Sequence, residues 1–286
     1  MKSSLNINQL SSKRSFNING YLFEYQKPQV MGILNITPDS FYDGGKFQNE
    51  KEILLQTEKM LNEGASFIDV GAYSSRPGAD QVSEQEELKR IVPVVTLLLK
   101  EFPSILLSID TFRSKIALET VAAGAALIND ISAGNMDMQM FKTVAKLQVP
   151  YIAMHMQGTP QTMQQNPSYQ NVTTYLIQFF SQKINQLHLL QVKDIIIDVG
   201  FGFGKTIEHN YQLLQDLSFF KSLNAPILVG ISRKSMLYKT LNIAVKDALN
   251  ATSSANTIAL LNGANILRVH DVKEALECVK IVGQLR

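Results

Sequence analysis

Residues 195–198 read Ile195-Ile196-Ile197-Asp198, a short run of β-branched residues that stops at a carboxylate. Seven other runs along the chain have the same form, and each ends at or just before a polar or charged residue. Their end points are Asn35, Asp69, Asp110, Asn129 with Asp130, His155, Gly230 ahead of Ser232, and Arg268. Such short, continuous apolar runs are typical of strands buried on both faces, and amphipathic helical segments lie between them.

Eight strands that alternate with helices form, most simply, a closed ring. We therefore predict an α/β fold, a (β/α)8 TIM barrel, as one domain over residues 1–286. Residues 1–28 should form an N-terminal arm with a β-hairpin extension, because residues 16–23 have the pattern of a hairpin with an Asn19-Gly20 turn. We expect this hairpin to cover the floor of the barrel. The polar end points should converge at the opposite mouth, where such barrels carry their chemistry.

The composition excludes several classes of function. The chain has 27 basic and 25 acidic residues, a net charge of +2 and no basic stripe, so we expect no binding of nucleic acid. No apolar stretch is long enough to span a bilayer, and residues 1–14 lack the apolar segment of a secretory signal, which predicts a cytoplasmic protein without membrane association. A single cysteine, Cys278, excludes a disulfide framework and favours a buried thiol.

Two of the predicted loops are unusually long for a barrel. Residues 36–48 and 71–82 are polar and contain glycine. Long loops in compact domains commonly cover a functional site, so we expect both of them to close over the mouth.

Three of the strand end points favour a particular kind of ligand. Asp110, Asn129 and Asp198 would place hydrogen-bond acceptors and a donor on one side of the pocket. Because a carboxylate accepts two parallel N–H bonds, this array suits a planar heterocycle with a guanidine-like edge. One such aspartate alone would be interpreted as a helix cap. Three amide or carboxylate groups at three strand ends favour a binding site.

Cations and hydroxyl groups follow the last two strands. Residues 232–235 read Ser-Arg-Lys-Ser at the predicted start of a helix, whose unpaired N–H groups favour an anion. Arg268 and His270 lie on one face of the final strand, in the part of such barrels that usually binds phosphate. The alternatives are a salt bridge of Arg268 with Asp271 or another carboxylate, and a helix-capping role for His270.

Other apparent motifs fail or have simpler explanations. Residues 200–206 end like a phosphate-binding P-loop, but Val199 stands where the first glycine is required. The four histidines form no zinc pattern. Asn35 is a more plausible metal ligand, because an amide oxygen suits Mg2+ when a substrate diphosphate provides other oxygens. Met154 lies at the mouth, whereas nearby Met156 and Met163 are interpreted as barrel filling.

Seven motifs, in order, resemble those of the dihydropteroate synthase family. They are residues 31–41, Ser75-Arg76-Pro77-Gly78, Ile109-Asp110-Thr111, Asn129-Asp130-Ile131-Ser132, residues 198–203, Ser232-Arg233-Lys234-Ser235 and Arg268-Val269-His270-Asp271. The likeness extends from about Val30 to Gly283. Ser75 stands where the family commonly has threonine, and Ala72-Tyr73-Ser74 where Gly-Glu-Ser is frequent. We expect these departures to alter the packing of the loop and not to remove activity.

The resemblance implies a transferase of folate biosynthesis that forms a C–N bond. It would condense 6-hydroxymethyl-7,8-dihydropterin diphosphate with p-aminobenzoate to give 7,8-dihydropteroate and diphosphate, by an SN1-like course with Mg2+-assisted departure of the diphosphate. By matching positions, the pterin-binding residues would be Asp110, Asn129, Met154, Asp198 and Lys234. The diphosphate-binding residues would be Asn35, Ser75, Arg268 and His270, and Asn35 would also bind the Mg2+.

The same resemblance assigns the second substrate and the catalytic groups. The p-aminobenzoate pocket would consist of Phe41, Ser75, Arg76, Pro77, Phe203 and Ser235. The catalytic residues would be Asp39, Arg76, Lys234, Arg268 and His270, with Asp39 stabilising the cationic methylene or organising the metal. The family is usually homodimeric and competitively inhibited by sulfonamides, so we expect both properties. Residues 251–263 would make the dimer contact unless they face the core.

Two functions of other classes stay open at this point. A methyltetrahydrofolate:corrinoid methyltransferase shares the barrel and the pterin-side acids, but it needs no diphosphate site such as residues 232–235 and 268–270. A non-catalytic pterin-binding or partner-binding barrel would result if the fold were retained and the activity lost. The complete set of mouth residues argues against that reading.

Overall fold

The structure, a computed structural model, describes residues 15–18, 20–36, 46–73, 82–163 and 167–285. We number its strands β1 (Ser15–Ile18), β2 (Tyr21–Glu24), β3 (Gln29–Asn35), β4 (Phe67–Gly71), β5 (Leu107–Asp110), β6 (Leu127–Asp130), β7 (Tyr151–Met154), β8 (Ile195–Asp198), β9 (Ile227–Val229) and β10 (Ile266–Val269). Strands β3 to β10 close a parallel barrel in which β10 pairs with β3, and β1 pairs antiparallel with β2. The predicted (β/α)8 TIM barrel with an N-terminal hairpin is confirmed.

Helices separate the barrel strands. They are α1 (Lys46–Asn62), α2 (Glu84–Glu101), α3 (Ser114–Ala122), α4 (Met140–Leu147), α5 (Val172–Leu189), α6 (Ile207–Gln215), α7 (Ser235–Leu241), α8 (Leu249–Leu261) and α9 (Val272–Gly283). In α2, Ser83 caps the first turn by accepting from the Glu86 backbone N–H, and Ile91, Val95 and Leu98 form the buried stripe. Within the described ranges, no helix has both the length and the hydropathy to cross a membrane.

The hairpin closes the amino-terminal end of the barrel, as predicted. Phe16 and Ile18 of β1 are buried in one apolar cluster with Met31 and Phe67, which lie early in their strands. The backbone N–H of Asn17 also donates to an Asp194 carboxylate oxygen at 2.9 Å, just before β8. The hairpin thus occupies the end of the barrel opposite to the carboxyl ends of its strands.

Two helical segments differ from the sequence-based expectation. The alternating pattern implied a helix between β6 and β7, but the sequence did not locate α4, because it has only eight residues and no side-chain cap; tertiary packing of Met140 and Val144 supports it. The sequence of residues 207–223 by itself favours one continuous helix, but α6 ends at Gln215 and a 3-10 helix follows over Leu217–Leu223. In a 3-10 helix residues three apart eclipse, so Leu217 and Phe220 are both buried.

Candidate active site

The predicted pterin-side residues lie together at the carboxyl ends of the strands. Asp110 ends β5 and pairs in register with Asn129 of β6. Met154 ends β7 and pairs with Asp198, which ends β8. Because the strands are parallel, all four side chains belong to the same end of the barrel.

Arg268 of β10 reaches across this end to two acidic residues. Its Nε donates to Oδ2 of Asp69 at 2.6 Å, and its Nη2 donates to Oδ2 of Asp110 at 2.8 Å. Burial by itself lowers the pKa of Arg268, but the two carboxylates hold that pKa above its ordinary value. A cation predicted to bind diphosphate and an acid predicted to bind the pterin therefore form one network.

Asp69 is the centre of this network, although the sequence reasoning gave it no role in the site. Its side chain is fully buried, and its Oδ2 also accepts from Nδ2 of Asn129 at 2.9 Å. Within the described part of the chain, Oδ1 of Asp69 and Oδ1 of Asn129 have no hydrogen-bond partner. Two buried acceptors of this kind suit a ligand that carries N–H groups. The only signal for Asp69 in the sequence was its place at the end of an apolar run.

The charge state of Asp110 is set by its surroundings. Burial raises the pKa of Asp110 to about 7, against the lowering effect of Arg268, and Asp69 and Glu87 raise it further by their negative charge. The carboxyl group therefore changes its protonation state near neutral pH. Only its ionised form can accept two N–H bonds from a ligand.

Asp198 and Lys234 carry opposite charges at the mouth and influence each other without a direct ion pair. Oδ1 of Asp198 accepts from the Gly200 backbone N–H at 2.8 Å, and Lys234 donates to the carbonyl oxygen of Phe201. Burial raises the pKa of Asp198, while Lys234 and the Gly200 hydrogen bond lower it. Burial lowers the pKa of Lys234 to about 8, although Asp198 favours its charged form.

Asp198 and Arg268 both lie beside Gly230, directly after β9. A methyl group placed on Gly230 would lie 4.0 Å from Oδ2 of Asp198 and 3.9 Å from Cβ of Arg268. Acids from the middle of the sequence and a cation from its last quarter therefore come together at one end of the barrel.

Asn35 lies beside the Arg268 network. A methyl group placed on Gly71 would lie 3.8 Å from Oδ1 of Asn35 and 3.6 Å from Oδ2 of Asp110. The described residues contain no cluster of three or more histidine, cysteine or carboxylate side chains that could hold a metal. The Asn35 side chain presents an amide oxygen, a type of atom that hard cations accept as a ligand, so its predicted role as a metal ligand stays a prediction.

Ser232 and His270 contact each other where β9 and β10 end. Oγ of Ser232 lies 3.0 Å from Nδ1 of His270 and accepts from the His270 backbone N–H at 3.3 Å. Arg233 is held elsewhere, because its Nε and Nη2 donate to the Asp271 carboxylate, both at 2.9 Å. The salt bridge that was considered as an alternative role for Arg268 is present. Its partners are the acids at the mouth, because Asp271 is paired with Arg233.

An apolar cluster lines another part of the mouth. Met154 is packed with Phe112, Met156 and Met163, and Phe203 is partly buried against the cluster. The ammonium group of Lys234 lies 4.5 Å from the centre of the Phe203 ring. The predicted pterin and p-aminobenzoate residues Met154 and Phe203 thus belong to one surface. Ser235, also predicted for that pocket, begins α7.

Several predicted residues lie outside the described part of the chain. They are Asp39, Phe41, Ser75, Arg76 and Pro77. The expected closing of the two long loops falls there as well, so these roles stay predictions.

The sequence is similar to proteins of known activity. A sequence model of the family described as pterin binding enzyme matches residues 31–270. The dihydropteroate synthase of Haemophilus influenzae is 44% identical over 265 residues, which cover 92% of this chain and 96% of that protein.

Solved structures agree with this similarity. The Yersinia pestis dihydropteroate synthase, solved with a sulfonamide drug, superimposes with a TM-score of 0.89 at 43% identity, covering 95% of this chain and 99% of that one. The Xanthomonas albilineans dihydropteroate synthase, solved with 4-aminobenzoic acid, gives a TM-score of 0.88 at 33% identity, with 95% and 98% covered.

Proposed function

The chain belongs to the pterin binding enzyme family and, within it, to the dihydropteroate synthases, and on this premise we propose its substrates and mechanism. It is a transferase of folate synthesis. The substrates are 6-hydroxymethyl-7,8-dihydropterin diphosphate and p-aminobenzoate, and the products are 7,8-dihydropteroate and diphosphate.

The observation that carries the proposal is that acids and cations come together at the carboxyl ends of the strands. Asp110, Asn129 and Asp198 offer the acceptors and the donor that a pterin edge requires, and Arg268 stands among them. The unpartnered Oδ1 atoms of Asp69 and Asn129 support a ligand with several N–H groups. Lys234 and Met154 complete the pterin side. The presence of 4-aminobenzoic acid in the Xanthomonas relative supports the choice of the second substrate.

The reaction follows from where charge develops. Breaking the C–O bond leaves negative charge on the diphosphate and positive charge on the pterin methylene. Arg268 and His270 stabilise the leaving group, together with Ser75, and the buried carboxylates stabilise the cationic pterin. The neutral amine of p-aminobenzoate then forms the C–N bond and releases one proton. Because the pterin ring delocalises the cation, we favour this SN1-like order over direct displacement.

A divalent cation fits the residues around Asn35. The Asn35 side-chain oxygen faces the same space as the Asp110 carboxylate, so both can lie near a cation that the substrate diphosphate brings. Bound Mg2+ would neutralise charge on the departing diphosphate. Asp39 would assist either the metal or the cationic methylene.

The p-aminobenzoate pocket is assigned to the rim beside the pterin. Phe203 and Ser235 contribute from the loop after β8 and the start of α7, and Phe41, Ser75, Arg76 and Pro77 contribute from the two long loops. Sulfonamides, which occupy the Yersinia relative, should bind in this pocket as competitive inhibitors.

We also propose a cytoplasmic homodimer that binds neither nucleic acid nor membrane. Helix α8 has two distinct faces, with Ala255 and Ala259 buried in the core and Ile258 and Leu261 45% and 52% exposed. The exposed face is the candidate for the dimer contact. Light scattering of the purified protein measures the mass of the assembly, which should be that of two chains.

The experiment that tests the proposed function is an assay of diphosphate release. The purified protein is incubated with the pterin diphosphate, with and without p-aminobenzoate and Mg2+. We expect release that depends on p-aminobenzoate, with dihydropteroate detected by mass spectrometry. A pterin-binding methyltransferase or a non-catalytic barrel would bind the pterin and release no diphosphate.

Pterin affinity should depend on pH through Asp110. Because the pKa of Asp110 is raised from 3.8 to about 7, its carboxyl group is protonated below that pH and ionised above it. The ionised form is the acceptor, so affinity for a pterin should increase as pH rises from about 6 to about 8. Calorimetric titration of 6-hydroxymethylpterin across this range measures the effect.

Asp110→Asn is the matched control for this titration, because it keeps the size of the side chain and removes the charge. We expect it to weaken pterin binding at least about tenfold at pH 8, or about 1.4 kcal/mol, and to flatten the pH dependence. If the affinity of Asp110→Asn equalled that of the unaltered protein at every pH, Asp110 would have no role in holding the pterin.

A further inference from the structure

Lys205, in the loop after β8, is buried without an acidic partner in contact. Its side chain is 3% exposed, and its ammonium group donates to the carbonyl oxygens of Phe203 at 2.9 Å and His155 at 3.2 Å. It also lies 3.0 Å from Nδ1 of His155. The three N–H bonds of one ammonium are thus matched by three acceptors. No carboxylate of the described residues forms an ion pair with it.

Such a group is costly to bury. Desolvation holds the pKa of Lys205 well below its usual value, and Asp198 opposes this while Lys234 adds to it. Burial, with the charge of Lys205, lowers the pKa of His155 to about 2, so its ring is neutral and Nδ1 can accept a hydrogen bond. Because a buried amine is costly without hydrogen bonds, these three contacts constrain the groups that accept them.

The contacts of Lys205 join two loops at the mouth. His155 follows β7 and Phe203 follows β8, so the ammonium holds the two loops together. The Tyr169 hydroxyl strengthens the junction by donating to the carbonyl of Gly204 at 2.8 Å. The loops are in close contact there, because a methyl group on Gly204 would lie 2.7 Å from the carbonyl oxygen of Gln157.

The contacts between these two loops hold Phe203 in place. Its carbonyl oxygen is held by Lys205, and its ring lies 4.5 Å from the Lys234 ammonium and packs near Met154. Lys234 in turn donates to the carbonyl of Phe201, two residues earlier in the same loop. Lys205 thus holds the backbone of Phe203, and Lys234 contacts its ring.

We propose that Lys205 is a positioning residue of this enzyme: by holding the Phe203 carbonyl against the β7 loop, it fixes the Phe203 ring and so sets the affinity for the arylamine substrate. The inference rests on the proposed function, which assigns Phe203 to the p-aminobenzoate pocket. Lys205 makes no hydrogen bond to the pterin-side residues and affects Asp198 only through its charge, so binding of the pterin should change less than binding of the arylamine.

The main test is Lys205→Met, which keeps the length of the chain and removes the ammonium. Two carbonyl oxygens lose their donor, so the KM for p-aminobenzoate should rise at least about fivefold. The KM for the pterin diphosphate should rise at most about twofold, because Lys205 hydrogen-bonds none of the pterin-side residues and acts on Asp198 only through its charge. Lys142→Met removes an exposed lysine of α4 and should change neither constant.

Two further variants keep the test decisive. Lys205→Arg keeps a charged donor and should recover part of the loss in KM, which a merely space-filling role would not predict. If Lys205→Met does not fold, Tyr169→Phe removes one hydrogen bond from the same junction. It should raise the KM for p-aminobenzoate alone, by about twofold or more.

The outcomes separate this inference from the proposed function. Unaltered protein that releases no diphosphate in the presence of p-aminobenzoate overturns both. The second case is that the unaltered protein is active, but the variant that folds shows an equal rise in both KM values or no change in either. That result overturns the role of Lys205 alone. A selective rise in the KM for p-aminobenzoate supports it.

Discussion

Replacing Arg268 with alanine is expected to cause the largest loss of function of any single change at the mouth. The guanidinium is the shared partner of Asp69 and Asp110, and Asp69 is fully buried. Removing it leaves buried carboxylates unpaired, which should lower the free energy of unfolding by about 3–5 kcal/mol. Turnover should fall at least about a hundredfold, because the leaving diphosphate also loses a cation. Chemical denaturation and the diphosphate-release assay measure the two effects.

Arg90→Ala is the matched control for stability. Arg90 pairs with Glu86 one turn away on α2, but both side chains are partly exposed, so its loss should cost less than about 1 kcal/mol. Arg268→Lys separates the effect on stability from the effect on turnover. It keeps the positive charge, but its single ammonium group cannot reproduce the two separate N–H contacts of the guanidinium. It should regain part of the stability while turnover stays low. Equal stabilities of Arg268→Ala and Arg90→Ala would contradict the network described here.

If Arg268 binds the diphosphate, Arg268→Ala should change the affinities for two ligands by different amounts. Its affinity for the pterin diphosphate should fall more than its affinity for dihydropteroate, because only the former carries the anion. Equal losses for both ligands would assign Arg268 to the pterin acids alone.

Gly200→Ala is expected to destabilise the protein as strongly by a different route. Gly200 has a φ of +69°, and a methyl group there would lie 2.0 Å from the carbonyl oxygen of His155. Backbone must move to admit it, so strain and overpacking together should cost at least about 3 kcal/mol of unfolding free energy. Because the Gly200 N–H donates to Asp198, pterin binding should weaken too.

Gly283→Ala is the control for this substitution. Gly283 lies at the end of α9, and a methyl group there would meet no atom within 4 Å. Alanine also favours helix, so this variant should be as stable as the unaltered protein or slightly more so. Urea denaturation of the two variants, with calorimetric titration of a pterin, tests the prediction. A Gly200→Ala protein as stable as Gly283→Ala would show that the loop adapts without cost.

The barrel could be predicted from the sequence because its signals are local. Each strand is a short apolar run, and a run such as residues 195–198 can be buried on both faces only in a sheet covered by helices. The end of each run marked the mouth, which is how Asp110, Asn129, Asp198 and Arg268 were found. The family resemblance then supplied the substrates. Helix α4 was missed because its support comes from packing and not from its own eight residues.

What the tertiary structure alone decided is which charged groups are partners. Asp69 and Arg268 are 199 residues apart in sequence, and nothing local distinguishes Asp69 from an ordinary strand end. The same holds for Lys205, which resembled part of a failed phosphate motif and became a buried junction between two loops. A short apolar run that forms a strand consists of neighbouring residues, so the sequence determines it directly. The partner of a buried charge depends on how the barrel closes, and only folding brings those atoms within reach of each other.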